Sequence, residues 1–140
     1  MCSSDLVDSI GVGSSAYDAL RHRAQRLNID VLPVVASAKA TSKDYPNLRS
    51  ELWFHMRDWL SSGGVIPRDE KLLGELVAPT YTIDTKSRLV VASKDDIRET
   101  LNRSPDRADA ANIAVYSATF ASTGGANLRA LRERLQARRL

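Results

Sequence analysis

The chain predicts an α/β protein, with strands and helices interleaved along its 140 residues. Three observations carry that expectation. Residues 6–36 read as strand, turn, helix and strand, a βαβ unit that is right-handed by default. Residues 81–91 read as a β-hairpin, Tyr81-Thr82-Ile83-Asp84 and Arg88-Leu89-Val90-Val91 flanking Thr85-Lys86-Ser87. Elsewhere apolar residues recur at helical spacing between polar turns.

The first strand is expected over Leu6–Ile10. It is apolar except for Asp8 and Ser9, and a carboxylate on an apolar strand is costly unless paired or metal-bound. Asp8 is therefore the first candidate site residue. Gly11-Val12-Gly13 makes a tight turn, and Ser14 or Ser15 caps a helix to about Leu27 with Ala16, Leu20, Ala24 and Leu27 on one face. Val31–Ala36 does not alternate, so this second strand is expected to be buried on both faces.

Residues 37–47 form a loop carrying Lys39 and Lys43. Pro46-Asn47 precedes a helix from Leu48 to about Ser62, with Leu52, Trp53, Met56, Trp59 and Leu60 inward and Arg49, Glu51, Arg57 and Asp58 mostly outward. Gly63-Gly64 stops it. A helix over about Arg68–Val77 places Leu72, Leu73 and Leu76 inward, and Pro79 ends it. After the hairpin, Lys94 to about Asn102 is a short polar helix.

The stretch Ser104-Pro105-Asp106-Arg107-Ala108-Asp109-Ala110 opens the next helix with acid. Ser104 suits the N-cap and Pro105 the first helical position. Asp106 and Asp109 stand three apart and share one face of the first turn. The macrodipole favours carboxylates there, so capping alone would account for them. The continuation Ala110-Ala111-Asn112-Ile113-Ala114-Val115 is small and apolar, as for a helix packed tightly on a sheet. With Asp8, it points beyond capping. Ala121–Asn127 reads as a linker, and Leu128–Leu140 as an exposed basic tail.

The formal charge of +3 is unevenly placed. Residues 128–140 hold five arginines against one glutamate, so the rest is close to neutral. A single cysteine, Cys2, excludes an intrachain disulfide and fits a reducing compartment. Neither a transmembrane run nor a signal peptide is visible. The opening Cys2-Ser3-Ser4-Asp5-Leu6 is what a common sequencing-adapter end, TGCTCTTCCGATCT, encodes. Residues 1–6 are accordingly expected to be adapter read-through, and are set aside from the fold.

Gly11, Gly13 and Ala16 fit the dinucleotide pattern G-x-G-x-x-G/A between a strand and a helix. The pattern needs an acid at the end of the next strand, where this chain has Ala36-Ser37-Ala38-Lys39; Asp30 lies at the wrong end. No phosphate-loop Gly-Lys-Ser/Thr is present. His22 and His55 stand near no nucleophile signature. Trp53 and Trp59 share helical spacing with Met56 and Leu60, which favours core packing over base stacking.

Four blocks then match a known family. Val7-Asp8-Ser9-Ile10-Gly11-Val12-Gly13 with Tyr17-Asp18-Ala19-Leu20 is the first. Asn47-Leu48-Arg49-Ser50-Glu51-Leu52-Trp53 is the second, and Ile66-Pro67-Arg68-Asp69 the third. Ser93-Lys94-Asp95-Asp96 and Ser104–Ala110 close the series. Their ordered set resembles the nuclease domain of phage terminase large subunits. The resemblance implies a ribonuclease H-like mixed sheet flanked by helices, incomplete at its N-terminus, over residues 7–120. It implies a metal-dependent endonuclease that cuts concatemeric double-stranded DNA during genome packaging.

In that family three aspartates hold two metal ions. Asp8 matches the second and Asp109 the third, with Asp106 beside it as an outer-sphere or additional ligand. The first has no counterpart and is expected upstream of Val7, together with an ATPase motor. Taken alone, the chain is then expected to cut DNA poorly. Two hard cations about 3.5–4 Å apart are the usual device for phosphodiester hydrolysis. Mg²⁺ or Mn²⁺ suits carboxylate oxygens, and no Cys/His cluster argues for zinc. Lys39, Lys94 and Arg107 are the candidate DNA-phosphate contacts. The resemblance implies portal and small terminase subunits as partners, no membrane, and the bacterial host cytoplasm as location. Two other readings stay open: a non-catalytic packaging or DNA-binding module, and another ribonuclease H-like nuclease of resolvase or transposase type.

Overall fold

The computed structural model describes residues 3–8, 13–27 and 29–122, which divide into two compact units, one drawn from the described residues up to 36 with 116–122 and the other from residues 37–115. The expected linker and basic tail beyond Ser122 lie outside the described residues.

In the first unit, β1 (Ser3–Asp8) and β2 (Ile29–Val34) pair in parallel, joined through α1 (Gly13–Arg26). The βαβ reading holds, with both strands displaced towards the N-terminus. Parallel pairing proceeds residue against residue, from Ser3 opposite Ile29 to Asp8 opposite Val34, so the end of one strand fixes the end of the other. Residues 3–6, set aside on the sequence, thus form most of β1. Val34 and Pro33 are buried, whereas Val35 lies beyond the strand and is exposed. Helix α1 buries Tyr17 and Ala24, two turns apart, and leaves Leu20 exposed, as is Leu27 just past its end. The buried stripe is narrower than the leucine spacing suggested.

In the second unit, α2 (Leu48–Ser61) starts where Asn47 accepts a hydrogen bond from the Ser50 amide at 2.9 Å. It buries Leu48, Leu52, Trp53, Phe54 and Met56. Glu51, expected outward, is buried because its carboxylate accepts from the Thr41 amide (2.6 Å) and hydroxyl. This bond, with Leu48 N–H donating to the Ala38 carbonyl at 2.7 Å, ties down the 37–47 loop. Gly63 has φ +96°, and a Cβ at Gly64 would overlap the Trp59 indole. Torsion requires glycine at the first position, and space requires it at the second.

Helix α3 (Glu70–Val77) is capped by Asp69, which accepts from Lys71 and Leu72 amides at 3.0 and 3.1 Å. Leu72 is buried and Leu76 partly so, but Leu73 is exposed and Glu75 takes the inward place with no exposure. Strands β3 (Tyr81–Ile83) and β4 (Leu89–Val91) form the antiparallel hairpin. Its turn is closed by Asp84, whose carboxylate accepts from the Lys86 and Arg88 amides and pairs with the Arg88 guanidinium. Helix α4 (Lys94–Leu101) and helix α5 (Asp106–Ser122) follow. Trp53, Leu72, Val91 and Ala108 make the core of this unit, with Ile66, Leu76 and Ala111 packed against it. Trp53 is thus a packing residue. The Val91 amide also donates to buried Ser50 Oγ at 3.3 Å, binding β4 to α2.

Candidate functional site

The acidic turn of α5 is the place where chemistry and architecture meet. Asp109 N–H donates to the Pro105 carbonyl at 2.9 Å. Pro105 therefore occupies the cap, where a carbonyl accepts the first intrahelical bond, and α5 begins one residue later than the expected Ser104 cap. Proline has no N–H to leave unsatisfied there. Ala108 is fully buried against Trp53, Leu72 and Val91, which turns that face of α5 inward. Asp106 stays exposed, and Asp109 is partly covered.

Behind this turn stands Glu75, which the sequence reading assigned no role. One carboxylate oxygen accepts from the Ala108 amide at 2.9 Å, and the other pairs with the Arg103 guanidinium. A buried carboxylate is stable only when paired and hydrogen-bonded, and the N-terminus of a helix is where negative charge is favoured. A second strut joins the same helices: Arg107 pairs with Asp69. Hydrogen bonds from the Leu72 amide and then the Arg107 charge hold the Asp69 carboxyl below the usual carboxylate range.

On the solvent side Lys94 Nζ reaches Asp109 Oδ2 at 2.9 Å. Both side chains keep solvent contact, so the pair contributes little to stability. Its significance is positional: the first residue of α4 and the first turn of α5 place an ammonium and a carboxylate side by side. Arg49 approaches from α2 and donates from Nη1 to the Ala92 carbonyl at 2.5 Å. Burial pushes its guanidinium below the ordinary value, opposed by the carboxylates of Asp109 and Asp96. Its Nε and Nη2 are buried and find no hydrogen-bond partner among the described residues, nor does the side-chain amide of Asn112, one turn beyond Asp109.

Of the candidates named from the sequence, Asp109 and Lys94 come together. Asp106 lies on the same turn, facing solvent. Arg107, taken for a DNA contact, is already engaged by Asp69, with its side chain half exposed. Lys39 is exposed on the anchored 37–47 loop. Asp8 is the last residue of β1, in the other unit, and its side chain lies outside the described residues. Among the described residues, no three His, Cys, Asp or Glu side chains cluster as a metal site would require. The donors present are oxygen only, which fits a hard divalent cation in kind. Asp109 presents one carboxylate at this point, its Oδ2 accepting from Lys94 Nζ.

Glu75 left a signal in the sequence. It sits three residues after Leu72, on the apolar stripe of α3, where a charge has to be paired. Arg49 left none, because arginine at the start of a helix is unremarkable on its own.

No family model and no curated protein matches the chain. Solved structures do. The nuclease domain of the large terminase subunit gp2 of bacterial virus Sf6 aligns with a TM-score of 0.60 and 19% identity, over 81% of this chain and 64% of that one. A point mutant of that domain with manganese and beta-thujaplicinol aligns with a TM-score of 0.65 and 18% identity, over the same shares. The mutant with calcium gives 0.60 and 19%. The chain therefore spans less than two thirds of those domains and has their ribonuclease H-like fold.

Proposed function

We propose that this chain is part of the nuclease domain of a phage terminase large subunit, a metal-dependent endonuclease that cuts concatemeric double-stranded DNA during packaging. The observation that carries the reading is Asp109. It stands on the first turn of α5, backed by the buried Glu75 and faced by Lys94, in a fold shared with terminase nuclease domains.

Asp8 and Asp109 are each proposed as ligands of Mg²⁺ or Mn²⁺, with Asp106 as an additional or outer-sphere ligand. Bound in pairs, such cations activate water and steady the leaving oxygen in phosphodiester hydrolysis. The protein contributes the oxygen donors and holds them. Lys94 brings a positive charge to the same point, where a phosphate oxygen can replace the carboxylate as its partner. Lys39 extends the phosphate contacts from its loop, and Arg107 can share its half-exposed guanidinium between Asp69 and DNA. Portal and small terminase subunits are the partners proposed, in the cytoplasm of the bacterial host. Among the described residues no helix is long and apolar enough to cross a membrane.

The test is plasmid nicking by the full-length protein in Mg²⁺ and in Mn²⁺, with Ca²⁺ as control. Asp109→Asn keeps the shape and removes the charge a hard cation needs. It is expected to abolish cutting with the fold intact by circular dichroism, while Asp106→Asn has a smaller effect. Cutting at wild-type rate by Asp109→Asn excludes the metal role and favours a non-catalytic DNA or packaging module.

A further inference from the structure

Glu75 lies outside the reaction just proposed, yet it is the most deeply placed charged group described. It has no exposure, and neither carboxylate oxygen serves its own helix. One takes the Ala108 amide and the other the Arg103 guanidinium, so a single side chain of α3 holds the segment entering α5 at two points five residues apart. Arg103 Nη2 also reaches the Lys71 carbonyl at 3.4 Å, which returns the same guanidinium to α3. The held amide belongs to the residue immediately before Asp109. A helix start that is free to fray moves its first-turn side chains by more than the tolerance of a metal site. A helix start whose amide is fixed from a neighbouring helix does not.

We propose that Glu75 is a positioning residue for the Asp109 carboxylate, locking the first turn of α5 so that Asp109 meets a divalent cation in a fixed orientation. The inference rests on the nuclease reading for its cation, but the lock itself is independent of it. Glu75 acts through Ala108 and touches neither metal nor DNA. A glutamine at this place can still accept the Ala108 amide, but it no longer neutralises Arg103 and loses the charge that favours the helix N-terminus. Positioning partners one step removed from a metal ligand typically change its affinity by about 10–100-fold.

The experiment uses the 140-residue chain with Mn²⁺ as probe. Amide hydrogen exchange reads the lock, and Mn²⁺ binding by electron paramagnetic resonance reads its consequence. Glu75→Gln is compared with Phe54→Leu, which weakens the packing of α2 against Tyr45 and Tyr81 and leaves the cluster around Ala108 intact. The expected result is that Glu75→Gln speeds exchange at Ala108 and Asp109 and weakens Mn²⁺ binding roughly tenfold, whereas Phe54→Leu leaves both near wild type. Equal losses in the two variants, or unchanged Mn²⁺ affinity in Glu75→Gln, overturn the proposal. If Glu75→Gln does not fold, the wild-type exchange rate decides. An Ala108 amide protected to the level of the core supports the lock, and one that exchanges like a surface amide overturns it. Failure of the nuclease reading is separately visible, as an Asp109→Asn chain that binds Mn²⁺ like wild type while Ala108 stays protected.

Discussion

Helices α4 and α5 both open with two aspartates, and they use them differently. In α4, Ser93 and Asp96 close a capping box: the Asp96 amide donates to Ser93 Oγ at 3.1 Å, and the Ser93 amide donates to Asp96 Oδ2 at 3.1 Å. The acid is consumed in starting its own helix. In α5 the buried amide of Ala108 is satisfied by Glu75 from α3, and Asp109 turns outward to Lys94. A cap borrowed from another helix releases the local carboxylates for other partners. The lesson concerns where reactive groups can be found. An acidic helix start that caps itself is closed to ligands, whereas one capped from elsewhere is open.

The sharpest way to break the comparison is Glu75→Ala. It leaves the Ala108 amide buried without an acceptor, strips Arg103 of its partner and opens a cavity, a loss of about 3 kcal/mol. Urea denaturation measures it, and a loss below about 1 kcal/mol means that α5 does not depend on the borrowed cap. Ser93→Ala is the counterpart in α4. Loss of a local cap is expected to cost about 1 kcal/mol, with no change at Ala108 by hydrogen exchange.

The smallest effect is a pH dependence. Asp69 and Asp84 both have carboxyls held below the ordinary value, Asp69 first by the Leu72 amide and Asp84 first by Arg88. The folded chain therefore binds those protons less readily than the unfolded one. Their stabilisation is complete above the unfolded pKa of about 3.9, and it disappears as pH falls through the lower folded values. Denaturation midpoints followed below pH 5 should show a shallower acid decline in Asp69→Asn than in wild type. An unchanged slope removes Asp69 from the strut between α3 and α5.

What could be read in advance follows the same division. The hairpin, the Asn47 start of α2 and the α4 helix were legible because each is closed by residues a few positions apart. The partners of Glu51 and Glu75 were not. Each glutamate is buried because an acceptor is needed by a segment far along the chain, at Thr41 for one and at Arg103 and Ala108 for the other. Leu20 and Leu73 misled in the opposite sense. Apolar side chains at helical spacing need not all face a partner, and these two are exposed. Within the candidate site, Asp109 and Lys94 were recognisable as residue types, but their ion pair depends on how α4 meets α5. Arg107 was recognisable as a cation, and its engagement by Asp69 depends on α3.

The bond between Glu75 and Ala108 also bears on the order in which the molecule assembles. It spans 33 residues, against three for the Ser93–Asp96 box. Closing the longer loop costs more chain entropy before any contact repays it, and contacts of high sequence separation form slowly. The capping box of α4 can therefore close locally, whereas the borrowed cap of α5 needs α3 in place. On that ordering, Asp109 is expected to acquire its orientation late in folding. A half-folded chain, whatever helix it already contains, does not yet present the acidic turn.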